Sequence, residues 1–170
     1  VVPSLRLTTG LAVAALLLAC SLGAQDMPWQ THKPAAAQGE PVQYVFPEQA
    51  QLIVGEPHEV DLHFRIREGL HINSHVPRDK GFIRTELIVV ERPGVVVQAV
   101  IFPEGAEFSS KAFPGEKLSV YTGEVVLHAR LKASRPGEQM LAAALRYQAC
   151  DADACLPPKT APVALDIVAR

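Results

Sequence analysis

Apolar and polar residues alternate along much of this chain, most clearly in Glu59-Val60-Asp61-Leu62-His63-Phe64-Arg65-Ile66, where every second side chain is apolar. A period of two is the mark of a strand with one face buried. Runs of similar character predict further strands over 43–46, 85–91, 95–102, 118–121, 124–132, 140–149 and 161–168. Turn chemistry separates them at Gly55-Glu56-Pro57, Arg92-Pro93-Gly94, Pro103-Glu104-Gly105, Pro114-Gly115 and Arg135-Pro136-Gly137. The alanine-rich stretch Leu141 to Leu145 has helical propensity, but Pro136-Gly137 before it and the alternation of Leu141, Ala143, Leu145 and Tyr147 favour a strand. Short strands at this spacing predict an all-β protein, an antiparallel sandwich. The sequence has no heptads, no internal repeat and no glycine-rich phosphate loop.

The N-terminal stretch follows another pattern. Arg6 precedes an apolar run from Leu11 to Ala19, too short to span a bilayer and suited to a signal-peptide core, so residues 1–24 read as an export signal. Two processing routes stay open. Leu17-Leu18-Ala19-Cys20 resembles a lipoprotein box in which Cys20 is lipidated, while Ser21-Leu22-Gly23 or Leu22-Gly23-Ala24 suits ordinary signal-peptidase cleavage. Residues 25–40, with Pro28, Pro34, three consecutive alanines and the single tryptophan Trp29, have no hydrophobic period and read as a flexible linker. From a lipidated Cys20, such a coil reaches about 25 Å, enough to hold a domain off a membrane. Residues 41–170 are long enough for one domain with its own core. A formal charge of -2 and the absence of a basic cluster argue against nucleic acid. Membrane contact is expected only through the lipid.

Chemistry concentrates near the C-terminus, in Tyr147-Gln148-Ala149-Cys150-Asp151-Ala152-Asp153-Ala154-Cys155-Leu156-Pro157-Pro158. With Cys20 assigned to the leader, the three cysteines reduce to one pair in a disulfide-permissive compartment. A bridge between Cys150 and Cys155 closes a small loop and constrains the unfolded chain by only about 2 kcal/mol. A local structural bridge and an exchange disulfide both fit that spacing; the second must sit where a partner's thiolate can reach it in line. Asp151 and Asp153 add negative charge beside the thiols, which raises their pKa, and Lys159 opposes this if it folds back.

The cysteine block, together with Gly69-Leu70-His71-Ile72-Asn73-Ser74-His75 and the stretch Pro114-Gly115-Glu116-Lys117-Leu118-Ser119-Val120-Tyr121, resembles the N-terminal periplasmic domain of the thiol:disulfide interchange protein DsbD. The resemblance implies an immunoglobulin-like β-sandwich that takes electrons from a thioredoxin-like or membrane-bound donor and passes them to periplasmic disulfide-containing proteins. It implies Cys150 and Cys155 as the catalytic pair, with Cys155 attacking, no cofactor, and a link to cytochrome c biogenesis. It also implies an aromatic shield on a cap loop, for which Phe113 aligns best and Phe108 competes. Tyr147 is expected either to line the site or, as an alternating strand residue, to lie in the core. Two departures are visible: four residues separate the cysteines where the best-known members have five, and the chain as read ends at Arg170 without a membrane or thioredoxin-like domain, so a stand-alone member would borrow its reductant.

Two other classes of function remain open. One is a non-catalytic interaction or assembly module whose bridge fixes a loop. The other is a metal chaperone using His71, Asn73 and His75 from one strand face with the cysteine thiolates, although this spacing is not a recognised zinc motif, and no metal is expected. His58, His63 and His128 alternate with apolar residues and are expected to face solvent.

Overall fold

A computed structural model describes residues 39–45 and 49–170 of the chain. The expected leader, its Cys20 and almost all of the expected linker lie outside the described residues. The described elements are all strands: β1 (Val42–Tyr44), β2 (Ala50–Leu52), β3 (Pro57–Ile66), β4 (His71–Asn73), β5 (Glu86–Val89), β6 (Val95–Ile101), β7 (Ala106–Phe108), β8 (Leu118–Tyr121), β9 (Glu124–Ala133), β10 (Gly137–Tyr147), β11 (Ala149–Cys150) and β12 (Lys159–Ala169).

Two four-stranded sheets, ordered β1-β3-β9-β6 and β2-β12-β10-β5, form an immunoglobulin-like sandwich. The pairing is antiparallel throughout except for β2, which joins β12 in parallel through Ile167 opposite Ala50. The alternation read from the sequence is the alternation of burial. In β3 the side chains of Leu62, Phe64 and Ile66 point inward, and in β9 those of Val125, Leu127, Ala129, Leu131 and Ala133 do so. From the other sheet Leu141, Ala143, Leu145 and Tyr147 of β10 and Val163, Leu165 and Ile167 of β12 complete the same core. Each fully buried leucine contributes about 1.5–3 kcal/mol of apolar transfer. The alanine-rich stretch is a strand, as its alternation predicts, because β10 finds eleven register partners from Gly137 to Tyr147 along β12.

A third sheet, ordered β11-β4-β8-β7, begins where β10 ends and carries the cysteines. Its strands run from two to four residues, and of these β8 is legible from the sequence, whereas β4, β7 and β11, along with β2, show no usable alternation. Close backbone packing helps hold this sheet together. At Gly105, just before β7, an added Cβ would press into the side chains of Ser74 and Ser119.

Candidate functional site

The cysteine turn is built by its own aspartate. Cys150 and Cys155 lie opposite each other across a four-residue turn and are joined by a disulfide, with Cα atoms 3.9 Å apart. Inside the turn the Asp151 N–H donates to the Ala154 carbonyl at 2.9 Å. The Asp151 carboxylate accepts from the Asp153 and Ala154 N–H groups, both at 2.8 Å. This is the aspartate turn chemistry in which a side chain replaces a backbone carbonyl. Those two N–H groups hold the Asp151 carboxyl below its usual pKa range. Below the turn, the Leu156 N–H donates to the Ala149 carbonyl and closes the hairpin neck at 2.8 Å.

Burial distinguishes the two sulfurs. Cys150 belongs to β11 and is only 3 % exposed, whereas Cys155 is half-buried and adjoins the exposed residues of the turn. An incoming thiol or disulfide therefore meets Cys155 first, and Cys150 stands behind it.

A loop over 109–117, between β7 and β8, is fastened to the turn. The Ser110 hydroxyl donates to the Ala152 carbonyl at 3.1 Å and accepts from the Ala112 N–H at 3.1 Å. In the same loop Phe113 packs edge-on against Phe82, ring centres 5.0 Å apart. Phe108, at the end of β7, lies on the His71 imidazole at 4.4 Å. The two candidate shields thus take separate places, one in the tied loop and one over a histidine of β4. Glu107 steadies the start of this segment through Arg78 at 2.8 Å and Lys117 at 3.0 Å.

The structure decides several alternatives that the sequence leaves open. Tyr147 is 1 % exposed and part of the sandwich core, so the core alternative applies and its ring does not line an open site; burial pushes its hydroxyl pKa up. Lys159 does not fold back over the turn: its ammonium pairs with Glu40 at 3.0 Å. Of the side chains grouped as metal ligands, two are committed elsewhere, Asn73 donating to the Ile83 carbonyl at 3.0 Å and His75 Nδ1 bonding the Thr85 carbonyl at 2.9 Å, and the two cysteine sulfurs are tied to each other. His58, His63 and His128 stand on the outward-facing positions of β3 and β9, partly exposed, with His128 resting on Asp61 at 2.7 Å and His58 accepting the Ile53 N–H at 2.9 Å.

Sequence reasoning missed Ser110, Phe82 and the burial of His71. No sequence pattern announces a hydroxyl that ties two loops 42 residues apart. His71 sits in a strand of three consecutive buried residues, where alternation is silent.

A β-sandwich carrying a disulfide at a hairpin turn, half open on one sulfur and backed by a second sheet, has the build of a thiol–disulfide exchange domain. The chain belongs to the family described as the N-terminal domain of the thiol:disulfide interchange protein DsbD, whose model matches residues 40–167. Among solved structures, it is similar to the N-terminal periplasmic domain of ScsB from Proteus mirabilis, at 18% identity and a TM-score of 0.47. That match covers 69% of this chain and 42% of that one, so this chain spans less than half of its length. It is also similar to the Neisseria meningitidis DsbD N-terminal domain in its reduced form, at 17% identity and a TM-score of 0.39, covering 74% of this chain and 82% of that one. Comparison with curated proteins returns no match.

Proposed function

We propose that this domain carries electrons between a thioredoxin-like or membrane-bound donor and protein disulfides outside the cytoplasm, through Cys150 and Cys155. The observation that carries this reading is the asymmetry of the pair at the head of the hairpin, with Cys155 half-open and Cys150 buried behind it. In the reduced state, the Cys155 thiolate attacks one sulfur of a partner disulfide and releases the partner's other sulfur as a thiolate. Cys150 then loses its proton and attacks Cys155, forming the intramolecular bond and releasing the second partner thiol. The partner gains two electrons and two protons, and the domain loses the same. A thioredoxin-like dithiol reverses these steps to recharge the pair.

Burial of Cys150 limits wasteful chemistry, because an oxidant reaching Cys155 finds only one accessible sulfur. The loop over 109–117 adds a removable cover, with Phe113 as the shield braced by Phe82 and Ser110 as its tie to the turn. Residues 1–24 serve as the export leader in this reading, and 25–40 as the linker, with Cys20 as the lipid-bearing residue if the lipoprotein route is used. Mass analysis of the mature N-terminus tests the last point: a diacylated Cys20 supports the tether, and a start at Ala24 or Gln25 excludes it.

The test of the exchange reading is trapping. A Cys150→Ser variant keeps the attacking sulfur and lacks the resolving one, so it is expected to accumulate a stable mixed disulfide with a thioredoxin-like protein. The Cys155→Ser variant is expected to form little. Equal, negligible trapping by both variants would favour a binding module whose bridge only fixes a loop.

A further inference from the structure

The third sheet holds one buried polar atom with no partner among the described residues. Five polar residues are buried among the described residues, His71, Asn73, Ser74, Thr85 and Ser110, and all lie on or against this sheet. Four have partners: Asn73 bonds the Ile83 carbonyl, Ser74 bonds Ser119 at 2.9 Å, Thr85 donates to the Asn73 carbonyl at 2.6 Å, and Ser110 donates to Ala152. His71 is 2 % exposed, and its Nε2 has no hydrogen-bond partner among the described residues. An unpaired buried nitrogen of this kind is costly, and such an atom calls for an explanation.

Register supplies the explanation. In the antiparallel pair of β11 with β4, Cys150 is directly opposite His71. Directly opposed residues of an antiparallel pair project from the same face, with Cβ atoms about 4.5–5.5 Å apart. The buried imidazole therefore stands beside the buried sulfur. While Cys150 is tied to Cys155 its sulfur has no proton to donate; as a thiol it has one.

We propose that His71 is the proton acceptor for Cys150: Nε2 accepts the Cys150 S–H in the reduced state and removes that proton as Cys150 attacks the mixed disulfide on Cys155. The step balances. The Cys150–Cys155 bond forms, the bond from Cys155 to the partner breaks, and the departing partner thiolate takes up a proton as the imidazolium returns its own. The inference rests on the reading that this pair exchanges disulfides.

Three features suit the role. Burial lowers the His71 pKa, partly offset by the Asp151 carboxylate, so the ring is neutral and able to accept at neutral pH. Phe108 covers the ring at 4.4 Å and limits water's access to the nitrogen. The other charged groups on that side, Arg65, Arg67, Glu68 and Glu124, line the groove shared by His71 and Phe108. The need for a base is quantitative: a thiol of pKa near 8.5 is only about 3% ionised at pH 7.

The test uses the full chain, reduced and mixed with excess oxidised glutathione, with acid-quenched samples resolved by mass to follow the glutathione adduct on Cys155 and its disappearance. In the unmodified protein, resolution is expected to be fast at pH 7 and to slow as pH falls through the imidazole pKa. His71→Phe keeps an aromatic ring against Phe108 and removes the acceptor; its adduct is expected to resolve about tenfold more slowly at pH 7 and to speed up steadily towards the thiol pKa. His71→Gln keeps a hydrogen-bonding group without a titration near neutrality, and is expected to show the same loss of the acid limb. A second measurement needs no variant: the His71 Nε2 resonance in 15N spectra is expected to move upfield on reduction, as the nitrogen gains the thiol hydrogen bond. Equal resolution rates and pH profiles in the unmodified protein and both variants, or an Nε2 resonance indifferent to reduction, would overturn the proposal while leaving disulfide exchange standing. A pair that forms no adduct at all in the unmodified protein would remove the exchange reading, and this inference with it.

Discussion

Buried and outward-facing side chains alternate along all ten residues of β9 and from Met140 to Tyr147 in β10, whereas β4 buries His71, Ile72 and Asn73 in succession. The long strands pack one apolar face inward and show the other to solvent. The short strand lies inside its sheet, flanked by β11 and β8, and is covered on both sides. The sandwich core contains apolar side chains and the ring of Tyr147; the polar burial is concentrated in the third sheet. Burying polar groups is costly unless each is paired, so a sheet with five of them on or against it has been specified by more than hydrophobicity. The comparison separates a scaffold that supplies stability from a smaller platform that holds the chemistry.

The sharpest way to break that separation is to damage the scaffold alone. Leu127→Ala removes a fully buried side chain from β9 and is expected to lower the unfolding free energy by about 2–5 kcal/mol in urea titration. The rate constant for exchange, corrected for the folded fraction, should stay unchanged; a drop in that constant would mean that the two regions are not separable.

Replacing both Cys150 and Cys155 by serine attacks the platform. Loss of so small a closed loop is expected to cost about 2 kcal/mol of stability and to abolish exchange completely. A variant as stable as the parent would show that the bridge does not constrain the chain.

Ser110→Ala cuts the tie between the loop over 109–117 and the Ala152 carbonyl. The stability cost is expected to be about 1 kcal/mol, with faster alkylation of reduced Cys155 by iodoacetamide as the cover loosens. Unchanged alkylation would remove Ser110 from any account of shielding.

The smallest effects are in acid. Backbone N–H groups hold the folded Asp151 carboxyl below its ordinary pKa of 3.8, so its contribution to stability is whole above that value and is lost as pH falls through the folded pKa. His71 is likewise lowered from 6.5, by burial, so the unfolded chain takes up the proton first and stability declines as pH falls below 6.5. Thermal unfolding of His71→Phe across pH 5 to 7 should therefore be flatter than that of the parent. A parallel slope would mean that the buried ring is not the group responsible.

How far the sequence alone reached follows the same division. The eight longer segments read from alternation correspond to β1, β3, β5, β6, β8, β9, β10 and β12, because a strand with one buried face writes its period into the chain. β4, buried at every position, and β7, with no buried position, carry no such alternation. Cys150 and Cys155 were legible as a pair by spacing and composition alone. Their unequal exposure was not, since it depends on β11 pairing with β4, a contact between residues 71 and 150 that no local pattern encodes. Whether Lys159 folds back over the turn could not be read from its proximity in sequence, and Glu40, 119 residues away, claims it instead.

The most direct test of exchange through this pair is the equilibrium of Cys150 and Cys155 in the purified protein against graded glutathione buffers, read by thiol alkylation and mass. An exchange-active pair is expected to give a reduction potential of roughly -180 to -270 mV, with rapid electron uptake from a thioredoxin-like donor. A potential below about -300 mV, with no measurable exchange, would contradict the account and make the bridge a structural one.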